Sequence, residues 1–176
     1  MKKTELKKLV LSAVLLAIGM VLPLLTGQIK EIGDSLLPMH LPVMLCGFIC
    51  GAKYGTAVGL MLPFIRSVTF GMPPIYPNAV WMALELATYA LVIGLLYRKR
   101  RKQSILYLYF CLICAMLAGR VVWGITKAIL LTVGNKPFTV SMFLVGGFAD
   151  AVLGIILQLI LIPIIMTILE RKGIKL

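Results

Sequence analysis

The chain has 176 residues, of which 61% come from the set AVILMFWYC and only 14% are charged, and its mean hydropathy is +1.03. A soluble domain carries roughly 45–50% apolar and about 25% charged residues. A water-soluble fold of this size could not bury so much apolar surface, because small domains leave much of their surface exposed. Soluble enzymes, disordered chains and secreted disulfide-rich scaffolds are therefore excluded, and the composition predicts an integral membrane protein.

Six apolar runs predict six transmembrane helices, since a spanning helix needs about 20 mostly apolar residues. The first run, 9–25, follows a cationic start as in a signal peptide, but no small-residue cleavage site lies near its end, which favours a retained helix. The later helices are predicted at about 39–51, 55–70, 78–97, 105–133 and 140–169. We expect an all-α membrane protein, a compact six-helix bundle that forms a single domain over residues 1–176.

The distribution of positive charge orients this bundle. The formal net charge is +12, and most cations lie between the apolar runs. With both termini in the cytoplasm, the inner side holds 13 of the 18 Lys and Arg residues and the outer side holds two, Lys30 and Lys136. Cytoplasmic loops of membrane proteins carry such an excess, so we expect cytoplasmic N and C termini. The cations are expected to orient the chain and attract anionic lipid, and no nucleic-acid partner is expected.

Five ionisable side chains fall inside the predicted helices: Arg66, Glu85, Arg120, Lys127 and Asp150. An unpaired ion at the bilayer centre costs about 3 kcal/mol or more. A helical rise of ~1.5 Å per residue places all five in the outer half of the bilayer. Ions from four helices at one depth predict a substrate-binding site, and mutual pairing between helices is the alternative interpretation.

Other polar and aromatic residues extend this candidate site. Asn78, Trp81, Glu85 and Tyr89 follow one another at steps of three and four, which places them on one face of the fourth helix. His40 lies at the start of the second helix, where a ligand contact and a position at the lipid headgroups are both compatible with the sequence. We predict that all these residues bind substrate.

Several motifs are missing or uninformative. The sequence has no P-loop, no G-x-S-x-G and no H-E-x-x-H, so it predicts neither ATP binding through a P-loop nor a familiar hydrolase site. The four cysteines lie in apolar helices without a neighbouring His, which favours packing over metal or redox chemistry. We expect no catalytic residue, no metal and no cofactor.

Two stretches carry a family resemblance, LPMHLPVMLCGFICGAKYG from Leu37 and GMPPIYPNAVWMALELATY from Gly71. Together with six short helices, a basic start and the A-x-x-x-A spacing of Ala13 and Ala17, they resemble the substrate-binding S components of energy-coupling factor (ECF) vitamin transporters. The resemblance covers essentially the whole chain. It implies a multi-pass protein of a bacterial-type plasma membrane that captures a vitamin-like solute from outside with high affinity.

The same resemblance implies partners and a mechanism. An S component associates with a membrane scaffold subunit and two cytoplasmic ATPases, and it topples in the bilayer to release its solute inward. Ala13 and Ala17 would then lie on the face that meets the scaffold. The substrate would lie beneath the loops at 27–37 and 71–77, among the outer halves of helices four to six.

The solute and two other functions stay open at this stage. Three cations against two carboxylates leave one positive charge, which suits a monoanion or zwitterion whose carboxylate binds Arg66 or Arg120, and pantothenate would fit. A nitrogen-rich base that donates to Glu85 is the second possibility. The alternative functions are a stand-alone proton-coupled carrier or channel that uses Glu85 and Asp150, and a membrane enzyme with these carboxyl groups as acid and base.

Overall fold

The computed structural model describes residues 3–25, 35–97, 104–135 and 137–171, and the regular structure in these ranges is helical throughout. The all-helical prediction is therefore confirmed. Residues 26–34 of the expected outer loop and the basic run at 98–102 lie outside the described residues. The α-helices are α1 (Lys3–Val21), α2 (His40–Cys50), α3 (Ala52–Phe70), α4 (Val80–Tyr97), α5 (Ile105–Val133), α6 (Val140–Leu144) and α7 (Val152–Arg171).

Four stretches of the described residues are long and apolar enough to cross a membrane: Thr4–Leu24, Ile75–Tyr97, Ile105–Val133 and Val152–Arg171. The six crossings expected from the sequence are thus supported by helix length and composition at only four places. The helix α3, with 19 residues, is long enough to cross a membrane, but Lys53 and Arg66 lower its hydropathy. The helix α2 has only 11 residues, or ~16 Å, which is about half the thickness of a bilayer core.

The short helix α2 begins deep inside the protein. Gly51, with φ at +87°, ends it, and α3 starts at the next residue. Across this turn the Tyr54 hydroxyl donates to the Glu5 carboxylate at 2.7 Å, which places the turn level with the start of α1. The other end of α2, at His40, therefore lies roughly half a membrane thickness away from the α1 start.

The helix α4 is the centre of the bundle and packs against α2, α3 and α5. Glycines make this approach close: a Cβ on Gly59 would lie 2.7 Å from backbone atoms of Leu86 and Ala87, and one on Gly47 would lie 2.9 Å from the Ala90 carbonyl oxygen. Such contacts leave no room for a side chain. Gly47 and Gly59 thus allow tight packing of α2 and α3 against α4.

Two helix boundaries differ from the sequence prediction. The helix α1 begins at Lys3 instead of residue 9, because its polar first turns continue the helix toward the cytoplasmic surface expected from the charge distribution. The single helix predicted over 140–169 is instead divided into α6, a π-helical turn at Val145–Ala149, and α7. Gly146 and Gly147 lie in that turn, where their low helix propensity weakens a continuous α-helix.

The outward faces of the long helices are apolar. On α5, large side chains exposed on the protein surface recur at steps of three and four, as expected for a face in contact with lipid chains: Leu106, Phe110, Ile113, Leu117, Val121, Ile125 and Ile129. Ala13 and Ala17 lie on the exposed face of α1, beside Val10, Val14 and Ile18. Both alanines are therefore accessible to a partner.

Candidate functional site

The centre of the candidate site is a buried ion pair between α4 and α5. Arg120 Nη1 donates to Glu85 Oε1 at 2.7 Å, and the Tyr89 hydroxyl donates to the same oxygen, also at 2.7 Å. Only 1% of Glu85 and 5% of Arg120 is exposed. A buried ion pair is tolerated when further hydrogen bonds satisfy its atoms, and Tyr89 supplies one of them.

His40 joins this group from the first turn of α2. Its Nε2 lies 3.7 Å from Glu85 Oε1, which is longer than a hydrogen bond, and its ring centroid lies 5.4 Å from that of Tyr89. The residue is 2% exposed. The structure thus brings His40 to the level of Glu85, inside the bundle, and not to the lipid headgroups.

A glycine on α5 makes room for Tyr89. A Cβ on Gly119 would lie 2.2 Å from Tyr89 Cε1, so the phenol ring rests directly on the α5 backbone. This contact holds the Tyr89 hydroxyl against Glu85, four residues earlier on α4, and the next residue of α5, Arg120, donates to the same carboxylate oxygen. Small and large residues on facing helices therefore fix the geometry of the ion pair.

Three buried nitrogen atoms of this group have no hydrogen-bond partner within the described ranges. They are Nη2 of Arg120 and both ring nitrogens of His40. In a neutral histidine one nitrogen carries a hydrogen and the other accepts one, so His40 leaves at least one donor without an acceptor. Buried polar groups are hydrogen-bonded in most folded proteins, so such a cluster requires an explanation.

Lys127 and two tryptophan rings lie further out along α4 and α5, close to Phe138 in the following connection. Lys127 Nζ lies 4.4 Å from the ring centroid of Trp123 and 5.4 Å from that of Trp81. It also lies 6.0 Å from the ring of Phe138. These distances are typical of cation–π contacts, in which the ammonium group is attracted to the faces of the rings.

Arg66 is buried but belongs to a different part of the structure. Its Nη1 donates to the Met20 carbonyl oxygen in the last turn of α1, and its guanidinium carbon lies 5.1 Å from the Phe70 ring centroid. The carbonyl groups at a helix end have no partner within the helix, and Arg66 supplies one. No hydrogen bond or ion pair joins it to Glu85 in the part of the chain that the structure describes.

The two remaining polar residues predicted for the site are more open. Asn78 is half-buried in the π-helical turn Ile75–Ala79 that precedes α4. Asp150 is exposed at the end of the second π-helical turn, and its backbone amide donates to the Val145 carbonyl oxygen at 2.9 Å. No hydrogen bond or ion pair joins Asp150 to Glu85 among the residues that the structure describes.

Sequence reasoning missed two aromatic residues near this site and one buried polar residue on α7. Trp123 lies between Arg120 and Lys127 on α5, and its three- and four-residue spacing from them was a readable signal. The ring centroid of Phe143 on α6 lies 6.1 Å from that of Trp123. No local sequence pattern indicates this contact. Gln158, 1% exposed on α7, has an unpartnered Nε2 among the described residues, and a polar residue within an apolar run was again a usable signal.

Neither metal nor disulfide chemistry has structural support in the described ranges. They contain no group of three or more His, Cys, Asp or Glu residues that could hold a metal ion. The four cysteines are free thiols, three of them buried.

Comparison with protein families agrees with these features. Residues 7–167 match the family described as ECF transporter, substrate-specific component. No curated protein and no solved structure matches the chain significantly. Members of the matched family are substrate-binding components of transporters and are not enzymes. Because the match spans most of an apolar, all-helical chain, this protein belongs to the substrate-specific components of ECF transporters.

Proposed function

We propose that this S component captures one small vitamin-like solute from outside the cell and delivers it inward together with an ECF scaffold subunit and two cytoplasmic ATPases. The solute binds among α2, α4 and α5 at a site built from His40, Glu85 and Arg120, with Tyr89 one turn below Glu85. Trp81 and Lys127 line the outer part of this site. A pantothenate-like monoanion and a nitrogen-rich base are the two classes that its charges accommodate.

The observation that carries this proposal is the set of buried, unpartnered nitrogens on Arg120 and His40. Leaving a buried donor without an acceptor costs roughly 1–3 kcal/mol, and more for a charged group. A solute that supplies acceptor atoms would recover that cost on binding. If these groups served only to join two helices, we would expect each buried donor to have an acceptor within the protein.

Delivery follows the mode expected of the family. The expected orientation, with both termini in the cytoplasm, places the Lys127 end of the site toward the outside. Ala13 and Ala17, exposed on α1, provide a flat surface of small side chains on which the scaffold subunit packs. Hydrolysis by the two ATPases then drives the chain to topple, so that the site opens to the cytoplasm.

A reconstitution experiment tests this function. The chain is placed in proteoliposomes with and without a scaffold and ATPase module, and uptake of radiolabelled vitamins is measured with and without ATP. We expect tight binding by the chain alone and accumulation only with the complete module and ATP. Accumulation by the chain alone, driven by a pH gradient, would contradict the proposal and support a proton-coupled carrier.

A further inference from the structure

We propose that the solute is a planar monoanion, with a carboxylate that binds Arg120 and a flat ring that lies against the indoles of Trp81 and Trp123. This inference rests on the proposed function, and it selects the anionic class over the nitrogen-rich base. Within the anionic class, it favours a rigid aromatic or heteroaromatic acid over a flexible aliphatic acid such as pantothenate.

The first reason is that the accepting oxygen of Glu85 is already occupied. Oε1 receives one hydrogen bond from Arg120 and one from Tyr89, both at 2.7 Å, and His40 Nε2 lies 3.7 Å away. A carboxylate oxygen has two lone pairs, so these two donors saturate it. A base that donates its N–H groups to Glu85 would therefore find at most the other oxygen, Oε2, available, beside the positive charge of Arg120.

The second reason is that the buried groups without a hydrogen-bond partner, on Arg120 and His40, include donors. Arg120 Nη2 points to no acceptor among the described residues, and His40 leaves one N–H in the same condition. Both residues are at least 95% buried, so water does not readily serve them. A carboxylate offers two acceptor oxygens, and an arginine nitrogen and an imidazole N–H bind such oxygens well.

The third reason is the arrangement of rings above the ion pair. On α5, Arg120, Trp123 and Lys127 follow at steps of three and four, so the indole lies between two cations on one face. On α4, Trp81 lies one turn outward from Glu85. Lys127 Nζ is within 5.4 Å of both indole centroids, so the two rings are neighbours around one ammonium group.

These three features together define the solute. The carboxylate end is specified by the donors of Arg120 and His40, deep in the bundle. A π face is specified by the two indoles, which prefer to pack against another flat ring. Lys127, which contacts both indoles, lies at the outer end of the site.

A binding panel on the purified full chain in nanodiscs tests the inference. Thermal shift and calorimetric affinity are measured for planar carboxylates (benzoate, nicotinate, orotate) and for their neutral amides benzamide and nicotinamide. Cyclohexanecarboxylate and pantothenate serve as non-planar acids, and adenine and guanine as bases. We expect at least one planar carboxylate to bind roughly tenfold or more tightly than its amide and than either non-planar acid.

The possible outcomes separate this inference from the function beneath it. Preferential binding of a base, or of a non-planar acid, would overturn the planar monoanion and leave the S-component function intact. If no compound in the panel and no vitamin in the uptake assay bound, the proposed function itself would be contradicted.

Two matched variants add a test at the residue level. Trp123→Leu should remove most of the preference for planar over alicyclic acids, because it replaces the π face by an aliphatic side chain. Phe110→Leu removes an aromatic ring from the lipid-facing side of the same helix and should leave the preference unchanged. Equal preferences in wild type and a folded Trp123→Leu would contradict the assignment of the indole.

Discussion

Glu85 and Arg120 are a buried ion pair in which each residue compensates the charge of the other. Each carries a full charge where almost no solvent reaches, and each supplies the other's main compensation at 2.7 Å. Removing one partner of a buried ion pair leaves an uncompensated charge, whereas replacing both by apolar or neutral groups is often close to neutral for stability. This asymmetry separates the contribution of the pair to stability from its contribution to binding.

We therefore expect Glu85→Gln to lower the stability of the folded chain by about 3 kcal/mol and to weaken solute binding. The double variant Glu85→Gln with Arg120→Met should recover most of the melting temperature but none of the binding. Glu170→Gln is the control, because that carboxylate bonds Tyr97 at the opposite end of the bundle. A double variant that binds the solute normally would show that the pair is only structural.

A second expectation concerns Arg120 alone. Arg120→Lys keeps the positive charge beside Glu85 but removes the second nitrogen that lacks a partner. We expect a melting temperature close to that of wild type and a solute affinity at least roughly tenfold weaker, as for Arg120→Ala. Unchanged affinity in either folded variant, measured by calorimetry, would remove Arg120 from the binding site.

Arg66 should behave in the opposite way. Because it is bonded to the Met20 carbonyl and lies over Phe70, Arg66→Ala should lower the melting temperature while solute affinity changes less than about threefold. Thermal denaturation and titration of the same preparation measure both quantities. A large loss of affinity without loss of stability would place Arg66 at the solute instead.

The sequence alone could predict part of this site. Intramembrane charge is expensive, so Glu85 and Arg120 were identifiable from composition, and helical spacing placed Trp81 and Tyr89 with Glu85. Which ions pair depends on the rotation of each helix about its axis, and no local pattern contains that information. Arg66 and Asp150 lie in the same predicted half of the bilayer, yet the contacts described for them lie outside the Glu85 group.

At the scale of the helices, the fold depends on close backbone contact between α3 and α4. A Cβ on Gly59 would lie 2.7 Å from backbone atoms that cannot rotate away, so the helices would have to separate. Separation would also shift Glu85, because the atoms concerned belong to Leu86 and Ala87, which follow it directly.

We expect Gly59→Ala to destabilise the chain by about 1–3 kcal/mol, the usual cost of overpacking. Gly134→Ala is a matched control at the end of α5, where a Cβ would meet nothing closer than 3.4 Å. Thermal unfolding of the two variants in the same detergent measures the difference. Equal melting temperatures would contradict the close α3–α4 packing.

Irregular turns explain why the bounds and rotation of the helices were harder to predict than the existence of the helices. The π-helical turn at Val145–Ala149 adds a residue to the turn, which rotates everything after it by roughly 100° relative to a regular helix. Asp150 follows this turn directly, so a continuous helical pattern assigns its side chain to the wrong face. The long apolar run of α5, with no such interruption, was predicted with the bounds that the structure shows.

At the scale of the whole molecule, the proposed toppling requires a small body and a smooth surface for the scaffold. The exposed face of α1 contains Ala13 and Ala17 beside aliphatic side chains, with no charge between Leu9 and Val21 to resist movement through lipid. The charge excess on the expected inner side favours one orientation before the scaffold engages. In this proposal, solute binding and assembly with the scaffold use separate surfaces.

This separation predicts that Ala13→Leu with Ala17→Leu blocks copurification with the scaffold and ATPase module and abolishes uptake. Solute affinity of the isolated chain should not change, because these side chains lie on the outer surface of α1. Val121→Leu, on the exposed face of α5, is the control and should assemble normally. Normal uptake by the double variant would place the scaffold contact elsewhere.

The central claim is that a buried group built around Glu85 and Arg120 binds the solute that the transporter carries. Its most direct test is the affinity of the isolated chain for the vitamin that the complete complex accumulates, measured by calorimetry for wild type and for Arg120→Lys. The account predicts one tight site in wild type and a loss of roughly tenfold or more in the folded variant. Equal affinities in the two proteins would contradict it.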